Sequence, residues 1–137
     1  MNNKWSRYKL YVFTAILLNS CVYRNEEDMA PAVDCSKVIP DTVSFSKNVQ
    51  PILTNNCAIT NCHSGTSPQG KLNLEVADAY SQLMKKGSGY VDTVNPQISV
   101  LQSSLRSKSN PMPPTGNLDE CSIELITQWM LQKAKNN

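Results

Sequence analysis

Two cysteines and the only histidine of the chain lie within seven residues, in the stretch CAITNCH that runs from Cys57 to His63. Two thiols and an adjacent imidazole can do three kinds of chemistry. They can attach a haem covalently, they can supply ligands to a metal ion such as zinc, or the two cysteines can close a small disulfide loop beside an exposed His63. The residue types alone leave all three possibilities open.

Covalent haem attachment requires two thiols that reach the vinyl groups on one edge of the porphyrin, and an imidazole directly after the second thiol. Cys62 and His63 meet the second condition. The usual spacing has two residues between the cysteines, whereas four stand here, Ala58 to Asn61, so an attachment loop would have to bulge. A zinc site would have to recruit Cys35, Cys121 or a carboxylate as further ligands.

A second axial ligand for a haem iron is available in SNPMPP, residues 109–114, where Met112 stands between prolines. A thioether makes no strong hydrogen bond that could orient it, so a loop stiffened by prolines suits a methionine that binds iron. His63 and Met112 are 49 positions apart, which is enough chain to pass around the porphyrin edge. The alternative for Met112 is an ordinary apolar contact in a turn.

The N-terminal stretch has the pattern of an export signal. Basic residues precede the apolar run LYVFTAILL, residues 10–18, which is too short for a membrane span of about 20 residues. The run ends in LNSC, which resembles a bacterial lipobox with Cys21 as the lipidated residue. We therefore expect a lipoprotein signal peptide over residues 1–20, a lipid-anchored tether over 21–34 and one domain over 35–137. The alternatives are a soluble secreted protein and an uncleaved anchor or buried segment.

The charge balance excludes some classes of function. Removal of residues 1–20 leaves 10 basic and 11 acidic residues of the 13 and 11 in the full chain, so the mature protein is nearly neutral and gives no case for nucleic-acid binding. With His63 committed to a metal, no histidine base remains for a hydrolase. Neither a P-loop nor a dinucleotide-binding glycine motif occurs.

Helical signals dominate the predicted domain. A first helix should run toward Cys57 with Pro51 in or just after its first turn, because a proline ring clashes with the carbonyl four residues back. The last helix should follow Asp119, which can cap its free amides, and should bury a stripe that includes Trp129 and Met130.

Two further helices are predicted over Val76–Lys85 and Ile98–Leu105, and the only candidate strands are Val43–Phe45 and Tyr90–Val94. Four short helices bury little apolar area. A domain of this kind usually needs a covalent staple or a cofactor to complete its core.

Three segments resemble a known family: FSKNVQPILTNNCAITNCH, NPMPP and LDECSIELITQWMLQKAKNN. Over about residues 43–137 the chain resembles a small bacterial c-type cytochrome domain of the planctomycete type, carried in an exported lipoprotein. The resemblance implies an all-α, cytochrome c-like bundle of about four short helices around one covalently bound haem c. It also implies that Cys57 and Cys62 form the thioethers, that His63 is the proximal iron ligand and that Met112 is the distal one.

Further predictions concern residues outside the set of candidate haem ligands. In cytochromes c the second imidazole nitrogen usually donates to a backbone carbonyl, for which Pro68 is the candidate here. We expect Cys35 and Cys121 to form a disulfide between the segment before the first helix and the start of the last, with two free thiols as the alternative. Met84 and Trp129 are expected in the core.

The sequence thus favours a single-electron carrier that is lipid-anchored through Cys21 in the cell envelope, at the outer membrane, and that exchanges electrons with redox partner proteins there. It is not expected to be an enzyme, and peroxidase-like activity ranks below electron transfer because no distal acid or base is evident beside Met112. The alternative is a cofactor-free envelope lipoprotein, stapled by disulfides, that acts as an interaction or structural module.

Overall fold

The computed structural model describes residues 33–137. The predicted signal peptide, the lipidation site Cys21 and all of the predicted tether before Val33 lie outside the described residues. None of the helices within residues 33–137 has the length and apolar character needed to cross a membrane.

The described part of the chain is built from helices, and it contains no β-strand. Four α-helices follow one another: α1 (Gln50–Asn56), α2 (Ala79–Leu83), α3 (Val100–Leu105) and α4 (Glu120–Leu131). The prediction of an all-α domain with four short helices is confirmed at this level. The helices predicted over 76–85 and 98–105 exist but are shorter, and a single 3₁₀ turn, Pro96–Ile98, precedes α3.

Both candidate strands were wrong. Ser44 is extended, but Phe45 begins a π-helical turn, and residues 90–94 are irregular. β-branched and aromatic residues suited these positions to a strand, but no segment among the described residues pairs with either of them to form ladder hydrogen bonds. Val43 and Phe45 are among the core residues.

The start of α1 is shaped by Pro51. A π-helical turn, Phe45–Val49, leads into the helix, and the Gln50 N–H donates to the Phe45 carbonyl. This wider winding precedes Pro51, whose ring would meet the Lys47 carbonyl in a continuous α-helix. The turn buries Val49 and the helix buries Leu53, so α1 packs firmly on the core and delivers Cys57 directly after its last residue.

Helix α4 forms the centre of the core. Its N-cap is Asp119, as predicted, whose carboxylate accepts from the Ser122 N–H at 2.9 Å and whose pKa is lowered by its hydrogen bonds from Ser122. Its inward face is fully buried at Ile126, Trp129 and Met130. The expectation that these residues are structural is confirmed.

Three aromatic rings join α4 to the rest of the core. The Trp129 ring lies 5.1 Å from that of Phe45 and 6.4 Å from that of Tyr80, centroid to centroid, and its indole N–H donates to the Lys135 carbonyl. Its contacts are those of a core residue, and it does not line the cavity described below.

The predicted disulfide between Cys35 and Cys121 is present. It links the segment before α1 to the second residue of α4 across 86 positions of sequence. This cross-link supplies the covalent staple that the small apolar area of the domain calls for.

Candidate functional site

A cavity of about 460 Å³ opens between the helices, and all four residues expected to hold a haem line it: Cys57, Cys62, His63 and Met112. Most of the remaining lining is apolar or aromatic, contributed by Leu72, Leu74, Leu83, Tyr90, Leu101, Leu105, Pro113 and Pro114. No Asp, Glu, Lys or Arg side chain is part of it. The cavity is therefore suited to a ligand with a large apolar body.

The turn from Cys57 to His63 is closed by backbone hydrogen bonds. The Cys62 N–H donates to the Ile59 carbonyl at 3.0 Å, and the His63 N–H donates to the Cys57 carbonyl at 3.1 Å. Asn61 has a φ of +66°, in the left-handed region that asparagine tolerates better than most residues. The four residues between the cysteines are accommodated in this way, and the bulge expected from the spacing is this turn.

The two cysteine thiols of the turn are free and are not bonded to each other. Cys57 is 9% exposed, whereas Cys62 is half-buried. Burial, and secondarily the nearby Cys62, raises the pKa of the Cys57 thiol to about 11. Cys57 is therefore a neutral thiol at physiological pH, and its conversion to a thioether would bury no charge.

The ring of His63 is oriented by the segment Leu72–Leu74. Its Nδ1 lies 3.1 Å from the Leu72 carbonyl oxygen, and the Leu74 N–H donates to the His63 carbonyl at 2.8 Å. With Nδ1 as the donor, Nε2 is the nitrogen that carries a free lone pair for a metal.

The expectation that Pro68 supplies this carbonyl was wrong. The Pro68 carbonyl instead accepts from the Lys71 N–H at 3.0 Å and closes a turn over Gln69–Lys71. The chain makes this excursion after His63 and only then returns past the imidazole. The contact consequently comes nine residues beyond His63 rather than five.

Met112 lies in the loop between α3 and α4. Its N–H donates to the Ser104 carbonyl at 3.0 Å, and Pro111 and Pro113 flank it. A bidentate ion pair between Arg106 and Glu120 connects the two ends of the loop, with N–O distances of 3.2 and 2.8 Å. This pair is exposed and contributes little to stability, but it holds the ends of the loop together.

A zinc site at Cys57, Cys62 and His63 would need further ligands nearby. Among residues 33–137, no group of three or more His, Cys, Asp and Glu side chains is placed to hold a metal ion. Cys35 and Cys121, the extra ligands that zinc would have had to recruit, are bonded to each other.

The residues present fit a covalently held haem. Two reduced thiols, an imidazole with its Nδ1 already engaged and a thioether line one cavity whose volume falls within the roughly 300–1,000 Å³ of cofactor and ligand sites. The leucine side chains would shield the porphyrin faces from water. Each Å² of apolar surface buried in this way contributes about 25 cal/mol of favourable free energy.

Sequence reasoning missed the parts of the site that backbone groups supply. The carbonyls of Leu72 and Ser104 fix His63 and the Met112 loop, and any residue type could offer them. The alternation of Leu72 and Leu74 was a usable signal for an extended segment facing the cavity. Tyr90 was noted only as part of a strand that does not form.

Comparisons with protein-family models, curated proteins and solved structures found no match to this sequence.

Proposed function

We propose that the protein is a single-electron carrier with a cytochrome c-like bundle around one haem c. Cys57 and Cys62 would hold the haem through thioethers, with His63 as the proximal ligand and Met112 as the distal ligand. One observation carries the proposal: the four side chains that this chemistry requires, which come from two distant segments of the chain, line the same largely apolar cavity.

The cysteines need no oxidant for their part. When a haem is attached, each thiol would add across one vinyl group, so that its sulfur gains a bond to carbon and its hydrogen goes to the neighbouring carbon. The thiols must therefore be reduced and free, which is the state of Cys57 and Cys62 in the structure. The carbonyl of Leu53 accepts the Cys57 N–H at 2.8 Å, so the first thiol is anchored to the end of α1.

The axial residues are prepared for a metal by their neighbours. Hydrogen bonding of His63 Nδ1 to the Leu72 carbonyl sets the ring orientation and strengthens Nε2 as a ligand. Ser104 holds the backbone of Met112. When bound, the haem iron supplies a one-electron couple, and methionine ligation in an apolar site favours a higher potential than two histidines would.

The proposal extends to the setting of the protein. A lipid at Cys21 and a tether up to residue 34 would hold the domain at a membrane of the cell envelope, where electrons pass to and from redox partner proteins. We propose no enzymatic reaction, because His63 and Met112 would occupy both axial positions of the haem iron and no charged side chain lines the cavity.

A spectroelectrochemical titration of the protein, made in a host with haem-attachment machinery, tests the electron-carrier function. The expected result is a c-type spectrum that titrates reversibly with a one-electron slope. Because His63 is the only histidine, a His63→Gly variant should lose the low-spin spectrum and regain it when free imidazole is added. A colourless wild-type protein, or a spectrum that His63→Gly leaves unchanged, would contradict the proposal.

A further inference from the structure

A buried glutamine contacts the chain segment that orients His63. Gln50, the first residue of α1, is 5% exposed. Its Nε2 donates to the Leu74 carbonyl at 3.2 Å and to the Thr54 hydroxyl at 3.1 Å, and its Oε1 has no partner among the described residues. Because a carbonyl can only accept, the amide group must face Leu74 with its nitrogen.

The contact with Leu74 reaches the segment that orients His63. Leu74 donates its N–H to the His63 carbonyl, and Leu72, two residues earlier, accepts from His63 Nδ1. The three-residue segment thus holds His63 at both its backbone and its ring. Gln50 holds the same segment through the Leu74 carbonyl and joins it to α1, the helix that Cys57 directly follows.

No other hydrogen bond among the described residues reaches the Leu74 carbonyl. Without Gln50 this buried oxygen would lose its partner, and the segment would be free to rotate its peptide groups in search of another donor. Rotation there would change the angle and length of the bond that the Leu72 carbonyl accepts from the imidazole.

We infer that Gln50 is a positioning residue for His63: it fixes the Leu72–Leu74 segment so that the imidazole keeps its proton on Nδ1 and presents Nε2 to the cavity. As far as iron ligation is concerned, this inference rests on the function proposed above. Its effect on the His63 tautomer does not.

Gln50→Met is the informative substitution. Methionine is unbranched and close to glutamine in size, but it cannot donate to Leu74. Gln102→Met is the matched control. Gln102 is also buried, 1% exposed, and its Oε1 also has no partner among the described residues, but its Nε2 donates to the Thr127 hydroxyl rather than to the Leu72–Leu74 segment. Both variants remove one buried amide from the core, so general loosening should affect them alike.

Two measurements are made on the full chain. In the haem-free protein, the ring ¹⁵N shifts of the sole histidine report the tautomer. In the haem-loaded protein, the exchange rate of the Nδ1 proton reports the bond to Leu72, and the reduction potential reports the strength of the ligand.

We expect the wild type and Gln102→Met to hold the Nδ1–H tautomer, and Gln50→Met to show a mixture. In the loaded Gln50→Met protein the Nδ1 proton should exchange about tenfold faster, and the ferrous state should be favoured, because a weaker Nδ1 hydrogen bond makes Nε2 a poorer electron donor. An unchanged tautomer and exchange rate in Gln50→Met would overturn the inference, as would equal changes in both variants. If no haem attaches, the proposed function fails but the tautomer comparison still decides the role of Gln50.

Discussion

The backbone N–H of Met112 donates to the carbonyl of Ser104 at 3.0 Å, and this bond ties the proline-rich loop to the end of α3. The thioether can therefore be presented to the cavity by a fixed backbone, although it makes no strong hydrogen bond of its own. A methionine held in this way is better suited to act as an axial ligand than a methionine on a mobile surface loop would be.

Substitution of this methionine should change the iron site specifically. In the haem-loaded protein we expect Met112→Leu to lower the reduction potential by on the order of 0.1–0.2 V, a fraction of the range of about 0.8 V that axial ligands span. The open position should then bind cyanide or carbon monoxide. Met84→Leu is the control, since Met84 packs against the core and does not line the cavity. Equal potentials for Met112→Leu and the wild type would exclude Met112 as the ligand.

The left-handed backbone of Asn61 gives a second prediction. At a φ of +66°, Asn61→Ala should lose about 1–2 kcal/mol of unfolding free energy, whereas Asn61→Gly should be close to neutral because glycine has no Cβ to clash. Urea unfolding of the haem-free chain measures both. The exposed neighbour Thr60, changed to Ala, serves as the reference. Equal destabilisation by Ala and Gly would mean that the side chain of Asn61, not its backbone, matters in this turn.

The disulfide should account for much of the stability of the domain. The loop it closes spans 86 positions, which corresponds to about 4.5 kcal/mol in the chain-entropy model. We expect the Cys35→Ser/Cys121→Ser double variant to lose an amount of this order in urea unfolding. Reduction of the wild type should reproduce the loss and should have no effect on the double variant. A loss below about 1 kcal/mol would show that packing alone carries the fold.

Because the Cys57 thiol is buried, we expect the stability of the haem-free chain to depend on pH. The pKa of the thiol rises from 9.0 to about 11, so between these pH values the folded chain keeps a proton that the unfolded chain has lost. The free energy of unfolding should therefore fall as the pH rises through this window, by up to about 2–3 kcal/mol.

Other groups titrate in the same range, so the comparison is with Cys57→Ala, which should show a shallower decline. Haem attachment should remove the difference, because a thioether does not ionise. Parallel curves for the two haem-free proteins would indicate that Cys57 is more accessible to water than the structure shows.

The parts that could be predicted from sequence are mainly those in which a side chain acts locally. Asp119 caps α4 because a carboxylate at that position reaches the first free amides. Pro51 limits the start of α1 because its ring would clash with the carbonyl four residues back in a continuous α-helix. The effects of Asp119 and Pro51 depend little on the rest of the fold. The pairing of Cys35 with Cys121 is long-range, and it could be predicted because Cys57 and Cys62 lie together beside His63, which leaves these two cysteines at the ends of the domain.

The parts that could not be predicted depend on where the chain returns. The partner of His63 is the carbonyl of Leu72 rather than Pro68, because the chain turns at Gln69–Lys71 before it passes the imidazole again. Gln50 gave no signal, since a glutamine in an amphipathic helix usually faces water and its burial depends on the position of Leu74. Long-range contacts of this kind have no local pattern in the sequence.

Covalent attachment of a haem through Cys57 and Cys62 is tested by the intact mass of the protein, purified from a host that attaches haem, together with that of four variants. We predict that the wild type and Cys35→Ala/Cys121→Ala each carry one covalent haem and that Cys57→Ala/Cys62→Ala carries none. The single variants Cys57→Ala and Cys62→Ala then show whether one or two thioethers form. A wild-type chain with no added mass, its Cys57 and Cys62 joined in a disulfide, would contradict the account and would make CAITNCH a structural loop.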